Sequence, residues 1–204
     1  LRSAEEHSDT LVMACNTLSV QYRKLQLSKT PLSGPQYVVS MVDCFEALVR
    51  AERSRLANKN VLIIGTRYTA SQSLYPDLLA AAIAGARTST IAATELERVV
   101  ARFEPWDSAD ESVLTHELRL ALQDTDVAVL ACTCFPVVVA ILESQFPHVT
   151  FLDPGAYCAG LLPKHTAMRD KRLRIKVTGD VVSATRAGEF AESHLGTGDI
   201  ECCT

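Results

Sequence analysis

Residues 59–92, KNVLIIGTRYTASQSLYPDLLAAAIAGARTSTIA, hold the pattern that decides the fold. A continuous apolar run ends at Gly65, a helical stretch follows to Gly85, and residues 88–92 then resume a strand-like pattern. Strands that are apolar throughout and alternate with helices are typical of parallel sheets covered on both faces. This stretch therefore predicts an α/β protein.

The same alternation of apolar runs and helical segments extends along the rest of the chain. Strands are predicted over residues 11–15, 37–42, 59–65, 88–92, 127–132, 149–152 and 174–178. Helices are predicted between them, including residues 95–103, 111–123, 136–146 and a last one over 186–194. We expect Asp43 to cap the helix after the second strand, because its carboxylate can accept a hydrogen bond from a free backbone N–H group.

Composition limits the classes of function. Of 204 residues, 48% are hydrophobic and 22% are charged, which is close to ordinary globular usage and far from that of disordered chains. The 20 Lys and Arg residues against 24 Asp and Glu residues give a net charge of −4, which argues against nucleic acid or an anionic membrane as the main partner. We expect a small-molecule substrate, with a homodimer as a compatible assembly.

The seven cysteines indicate the cellular compartment. Their number is odd and their spacing irregular, which is a poor framework for disulfides. The chain opens with neither the apolar core nor the cleavage pattern of a signal peptide, and it holds no apolar run approaching the roughly 18 residues that cross a bilayer. We therefore expect reduced thiols in a cytoplasmic protein.

Two segments repeat one pattern around a cysteine. They are Val12-Met13-Ala14-Cys15-Asn16-Thr17 and Val129-Leu130-Ala131-Cys132-Thr133-Cys134. Each first cysteine comes where a buried strand is predicted to end, and ligands of open α/β sheets bind at that edge. The repeat suggests two related halves, each with one thiol facing a shared cleft.

Two opposed thiols suit the inversion of a carbon atom next to a carboxylate. One thiolate removes the proton from carbon, and a thiol on the other face returns a proton with inverted geometry. An ordinary thiol pKa of about 8.5 allows one member of such a pair to be base and the other acid. Hydrogen bonds to the carboxylate must lower most of the barrier, and Asn16, Thr17 and Thr133 are suitable residue types.

Plainer interpretations compete with this one. A single cysteine at a strand end can simply be a small buried apolar side chain, and we adopt that interpretation for Cys44 and Cys158. The turn after Gly65 lacks the Lys and Ser/Thr of a P-loop, so nucleotide binding is not favoured. The Cys132-x-Cys134 pair has no second spaced pair, so we expect no metal site.

Three motifs occur together in this chain: Ala14-Cys15-Asn16-Thr17 with Ser19, Gly65-Thr66-x-x-Thr69 with Tyr75, and Ala131-Cys132-Thr133-Cys134-Phe135-Pro136. In order and approximate spacing they resemble the aspartate/glutamate racemase family, and most closely its cofactor-independent glutamate racemases. The resemblance implies two similar parallel-sheet α/β domains with the active site in the cleft between them. The first domain would comprise residues 1–55 and 176–204, and the second residues 56–175.

The resemblance also implies the roles of individual residues. Cys15 and Cys132 would be the opposed acid and base, and neither pyridoxal phosphate nor a metal would be needed. The residues that contact the substrate's α-carboxylate and amine would be Asn16, Thr17 and Thr133, with Thr66 and Thr69 lining the cleft from the second domain.

The sequence departs from the family in ways that leave alternatives open. Cys134 stands where glutamate racemases usually have His and aspartate racemases commonly have Glu, so a thiol replaces a tuner of the neighbouring Cys132. Only 14 residues precede Cys15, so the family's first active-site strand and loops are expected to be missing. Besides a racemase of glutamate or aspartate, the sequence is compatible with a lyase or isomerase of a carboxylic acid, or with an inactive carboxylate-binding protein.

Overall fold

The computed structural model describes the backbone of residues 10–27, 37–101, 114–163, 174–178 and 199–203, and the side chains of residues 10–25, 37–101 and 114–163. In chain order the elements are β1 (Thr10–Met13), α1 (Asn16–Leu27), β2 (Tyr37–Ser40), α2 (Met41–Ala51), α3 (Arg53–Leu56), β3 (Asn60–Gly65), α4 (Arg67–Ala70), α5 (Leu74–Ala82), β4 (Arg87–Ala92), α6 (Thr94–Val100), α7 (His116–Gln123), β5 (Val127–Ala131), α8 (Val139–Gln145), β6 (Thr150–Leu152), β7 (Arg174–Thr178) and β8 (Asp199–Cys203). Short 3-10 helices cover Phe135–Val138, Pro154–Tyr157 and Ala159–Leu161.

The strands of these residues pair in parallel throughout. A four-stranded sheet has the order β4-β3-β5-β6, while β1 pairs with β2 and β7 pairs with β8 in separate two-stranded sheets. Parallel strands joined by helices confirm the predicted α/β class. In the four-stranded sheet Gly65 is level with both Ala131 and Ala92, so β3, β4 and β5 end at the same edge.

The central strands are apolar throughout because both of their faces are covered. Leu62 and Leu130 face one core cluster, which α6, α7 and α8 complete. Their neighbours Ile63 and Val129 face the other cluster, which holds side chains of α1, α2, α3 and α5. Successive side chains of a strand point to opposite faces, so burial on both sides requires the uninterrupted Val-Leu-Ile run seen in the sequence.

The β1–β2 part of the chain packs onto this sheet through α2. Phe45 is fully buried and meets the Tyr75 ring of α5 edge to face, with 4.6 Å between the ring centroids. Full burial of such a side chain contributes about 1.5–3 kcal/mol. The contact therefore fixes α2 against α5.

The cap of α2 corrects one prediction. Ser40, and not Asp43, is the N-cap residue: its hydroxyl accepts from Asp43 N, and the Asp43 carboxylate accepts from Ser40 N at 2.8 Å, which completes a capping box. The strand predicted to continue to residue 42 ends at Ser40 because this box starts the helix at Met41.

Other boundaries differ more modestly. The predicted helix over residues 136–146 begins as a 3-10 turn that contains Pro136 and becomes α-helical at Val139. The helix predicted over 111–123 begins at His116, where the Thr115 hydroxyl caps it by accepting from Leu118 N. The helix predicted over 186–194 lies outside the described residues.

The division into domains of residues 1–55 with 176–204 and 56–175 stays a prediction. Among the described residues, none of the helices has the length and the apolar character of a membrane span.

Candidate functional site

Three strand ends converge at one edge of the molecule. Cys15 follows β1, Thr66 follows β3 and Cys132 follows β5, and the shared register of β3 and β5 brings Thr66 and Cys132 out side by side. The Thr133 hydroxyl donates a hydrogen bond of 3.1 Å to the Ala14 carbonyl. This bond joins the turn that holds Cys132 to the turn that holds Cys15, so the structure brings together the turns of the two predicted cysteines.

A cluster of threonine hydroxyls lies beside these turns. The Thr17 Oγ1 atom is 3.0 Å from Thr66 Oγ1 and 3.4 Å from Thr69 Oγ1, and the latter two are 3.2 Å apart. Thr66 also caps the short helix α4 by accepting from Thr69 N. A Cβ atom on Gly65 would lie only 3.1 Å from the Thr69 Cβ atom, so glycine permits this close approach of strand and helix. Three of the four threonines predicted as site residues therefore form one hydrogen-bonded cluster.

Asn16 holds a buried donor without a protein partner. Its side chain is 2% exposed, and its Oδ1 atom accepts a hydrogen bond of 2.6 Å from the Tyr75 hydroxyl. Its Nδ2 atom makes no hydrogen bond within the part of the chain that the structure describes. Buried polar groups nearly always make a hydrogen bond, and a buried donor left without one costs about 1–3 kcal/mol. The free N–H group is suited to a ligand that brings an acceptor atom.

Tyr75 fixes the orientation of this amide. Burial raises the pKa of the Tyr75 hydroxyl, and nearby Cys44 and Cys15 raise it further. The phenol therefore stays protonated and keeps donating to Oδ1, which leaves Nδ2 as the available end of the amide. The sequence places Tyr75 in a motif but does not by itself predict this role.

The two cysteines of the site have different surroundings. Cys15 is exposed, whereas Cys132 is 7% exposed and belongs to the core cluster around β5. Ser19 supports the turn at Cys15, because its buried hydroxyl lies 2.7 Å from the Cys15 carbonyl and accepts from Met41 N at 3.0 Å. Cys15 is thus open to solvent, whereas Cys132 is buried at the end of β5.

Cys132 and Cys134 lie two positions apart in one turn, and each thiol shifts the pKa of the other; the pair is called here the Cys132–Cys134 dyad. The interaction with the Cys132 thiol lowers the pKa of Cys134 to about 7, against the effect of burial and of Glu97. The same interaction, followed by burial, raises the pKa of Cys132. The first proton therefore leaves the dyad more easily than from an isolated thiol, and the second leaves with more difficulty.

A second thiol pair belongs to a separate small core cluster. Cys44 is fully buried and packs with Val39 and Met41, and Cys158 packs against the same small cluster. Burial, followed by the interaction with Cys158, raises the pKa of Cys44 to about 12. Cys44 behaves as the apolar core residue expected from the sequence, although its pairing with Cys158 had no sequence signal. In the described ranges, no group of three His, Cys, Asp or Glu side chains is arranged to hold a metal ion.

Comparison with protein families gives a match over most of the chain. The model described as Asp/Glu/Hydantoin racemase matches residues 1–162. Glutamate racemase 3 of Caldanaerobacter subterraneus is 27% identical over 147 residues, which are 71% of this chain and 50% of the relative. The glutamate racemase of Pasteurella multocida is 25% identical over 180 residues, 87% of this chain and 60% of the relative. The chain thus spans about half the length of the curated relatives it matches.

Solved structures show the same fold. Escherichia coli glutamate racemase, in complex with L-glutamate and the activator UDP-MurNAc-ala, superposes with a TM-score of 0.69 at 23% identity, covering 96% of this chain and 74% of the other. The glutamate racemase isoform RacE1 of Bacillus anthracis gives a TM-score of 0.67 at 21% identity, with the same coverage. At these identities the likeness concerns the fold.

Proposed function

The chain belongs to the Asp/Glu/Hydantoin racemase family, and on that basis we propose that it interconverts L- and D-glutamate, with aspartate as the second candidate substrate, by proton transfer at the α-carbon. The observation that carries the proposal is the joining of the Cys15 and Cys132 turns by the bond from Thr133 to the Ala14 carbonyl. The relatives named glutamate racemase support the choice of substrate.

In the proposed reaction, the two thiols act from opposite faces of the α-carbon. A thiolate takes the α-proton, the electron pair of the broken C–H bond moves toward the carboxylate, and the opposite thiol gives its proton to the other face. The first sulfur ends protonated and the second ends as a thiolate, so proton and charge balance. The mechanism uses side chains alone and needs neither pyridoxal phosphate nor a metal.

The hydrogen-bonding residues are proposed to hold the amino acid and to stabilise the enolate-like carboxylate. The unpaired Nδ2 of Asn16 offers a donor to a carboxylate oxygen. The Thr133 hydroxyl proton is committed to the Ala14 carbonyl, so its oxygen is left to accept from the substrate ammonium group. Thr17, Thr66 and Thr69 line the cleft with hydroxyls that can donate or accept. Donors already in place at a developing negative charge are the largest single contribution in many enzymes.

Cys134 is proposed to tune Cys132. Replacing Cys134 with serine removes the acidic partner, whose pKa lies at about 7 in the dyad. Cys132 then has to lose its own proton against the effect of burial. For the enantiomer from which Cys132 takes the proton, kcat/KM rises with pH, and we expect this rise to move to higher pH in Cys134→Ser.

The pH profile of kcat/KM should be measured separately for L- and D-glutamate, because Cys15 serves as base for the other enantiomer. Cys158→Ser is the matched control, since it removes a partly buried thiol outside the site, and it should leave both profiles in place. If the rise of kcat/KM with pH in Cys134→Ser lies at the same pH as in the wild-type chain for both enantiomers, Cys134 does not tune the reaction.

The compartment and the assembly stay proposals as well. The five cysteines with described side chains, which include both thiol pairs, are free. Free thiols agree with the proposed cytoplasmic location, where structural disulfides are rare. A small-molecule amino acid is the proposed partner, and homodimerisation stays a prediction.

The test of the proposed function is exchange of the substrate's α-proton in heavy water.

A further inference from the structure

The Cys132–Cys134 dyad has the arrangement of a thiol pair that can be oxidised. The two cysteines occupy one tight turn, in which Phe135 N donates to the Cys132 carbonyl at 3.1 Å. They are two positions apart, and the Cys134 side chain packs against the core cluster to which Cys132 belongs, so both thiols are held on the same short turn. Cys134 is partly exposed, which gives a reagent access to one member of the pair.

The two thiols also differ in reactivity. A thiolate is the nucleophile in thiol–disulfide exchange, and a thiol whose pKa lies near the ambient pH attacks fastest. Cys134, with a pKa of about 7, meets this condition. Cys132 is less exposed and stands beside it as the group that resolves the first product. Cysteines that are acidic, accessible and next to a resolving cysteine are typical of redox sensors.

We propose that Cys132 and Cys134 form a reversible intramolecular disulfide when the protein meets a small-molecule disulfide such as oxidised glutathione. The Cys134 thiolate attacks one sulfur of the oxidant, forming a mixed disulfide and releasing one thiolate. Cys132 loses its proton to solvent and attacks the Cys134 sulfur, which releases the second thiolate and closes the bond. Two protein thiols are oxidised, and one oxidant molecule is reduced to two thiols.

The consequence for activity rests on the proposed function. Once its sulfur is bonded to Cys134, Cys132 can neither take nor give the α-proton. A positioned proton-transfer group contributes about 10²- to 10⁴-fold in rate, so racemisation should fall by at least about 100-fold. A disulfide between residues only two positions apart closes a small, strained ring, and strained disulfides are the readily reduced ones. The switch should therefore reset in a reducing cytoplasm.

The Cys44–Cys158 pair provides the contrast within the same chain. Its two side chains also pack in one small cluster, but Cys44 is fully buried and its pKa is raised to about 12. A protonated, buried thiol is a poor nucleophile. Oxidation should therefore select the dyad over this pair.

The test maps the disulfide by mass spectrometry on the intact, folded protein. Fully reduced protein is treated with oxidised glutathione at neutral pH, its remaining thiols are alkylated, and it is digested with trypsin and a glutamate-specific protease. Cleavage after Arg119 and Glu143 gives peptide 120–143, which contains Cys132 and Cys134 and no other cysteine. We expect this peptide to be two hydrogen atoms lighter and unalkylated, and dithiothreitol to restore both the thiols and the activity.

Two variants sharpen the result. Under the same oxidant, peptide 120–143 of Cys134→Ser should lack the loss of two hydrogens, whereas Cys158→Ser should retain it. The proposal is overturned if the wild-type peptide carries two alkyl groups, keeps a glutathione adduct, or is linked instead to the peptide that contains Cys15. The mapping does not depend on turnover, so a missing disulfide in an active racemase contradicts only this inference, and a disulfide in an inactive protein contradicts only the proposed function.

Discussion

Replacing either Cys15 or Cys132 with serine is expected to lower kcat/KM for racemisation by about 10²- to 10⁴-fold in both directions. Inversion needs a base on one face of the α-carbon and an acid on the other, so loss of one thiol stops both directions. A serine hydroxyl is nearly the size of the thiol but is far too weak an acid to ionise near neutral pH. The measurement is the initial rate of formation of each glutamate enantiomer, followed by chiral chromatography.

The two variants should also differ from each other in a diagnostic way. Each retains one thiol, which can still remove and return the α-proton on its own face without inversion. In heavy water Cys15→Ser should therefore exchange the α-proton of one enantiomer only, and Cys132→Ser that of the other. Cys158→Ser is the control and should racemise at the wild-type rate. Full turnover in either variant, or exchange of the same enantiomer in both, would contradict the assignment of opposed thiols.

Asn16→Asp is expected to lower kcat/KM for glutamate by at least about 100-fold, the scale of losing a donor to a developing negative charge. The substitution keeps the size of the side chain and an oxygen that accepts from the Tyr75 hydroxyl. It replaces the unpartnered Nδ2 donor with an oxygen that repels the substrate's carboxylate. Steady-state kinetics with both enantiomers measures the effect.

Tyr75→Phe separates orientation of the amide from donation by it. This variant loses the 2.6 Å bond to Oδ1 but keeps the Nδ2 donor, so we expect a loss of about tenfold, in keeping with one hydrogen bond of about 1–1.5 kcal/mol. Ligand protection gives a second readout: glutamate should raise the melting temperature of the wild-type chain and of Tyr75→Phe, but not of Asn16→Asp. Wild-type kcat/KM in Asn16→Asp would remove Asn16 from substrate binding.

The α/β class could be predicted from sequence because the central strands are covered on both faces. That burial demands continuous apolar runs such as Val61 to Ile64, which stand out in one sequence without any comparison. The start of α2 could not be decided in the same way. Ser40 and Asp43 are both good capping residues, and only the backbone shows that the first caps the helix while the second completes the box.

The candidate site, too, could be predicted from the sequence only in part. The cysteines at predicted strand ends could be predicted to lie near each other, because ligand-binding residues of parallel sheets follow the strands at one edge. The bonds that assemble the site join residues far apart in the chain, 59 positions from Asn16 to Tyr75 and 119 from Ala14 to Thr133. No local pattern encodes such pairs, since they depend on how the helices pack. The acidity of Cys134 likewise follows from a contact with Cys132 and not from its residue type alone.

Proton NMR of L- and D-glutamate in heavy water tests the central claim most directly, because it follows the α-proton itself. With the wild-type chain, the α-proton signal of either enantiomer should disappear as solvent deuterium replaces it, and the other enantiomer should accumulate until both are equal. L- and D-aspartate, run in parallel, show which acid the cleft prefers. Persistence of the α-proton signal in all four amino acids, with folded protein present, would contradict the account.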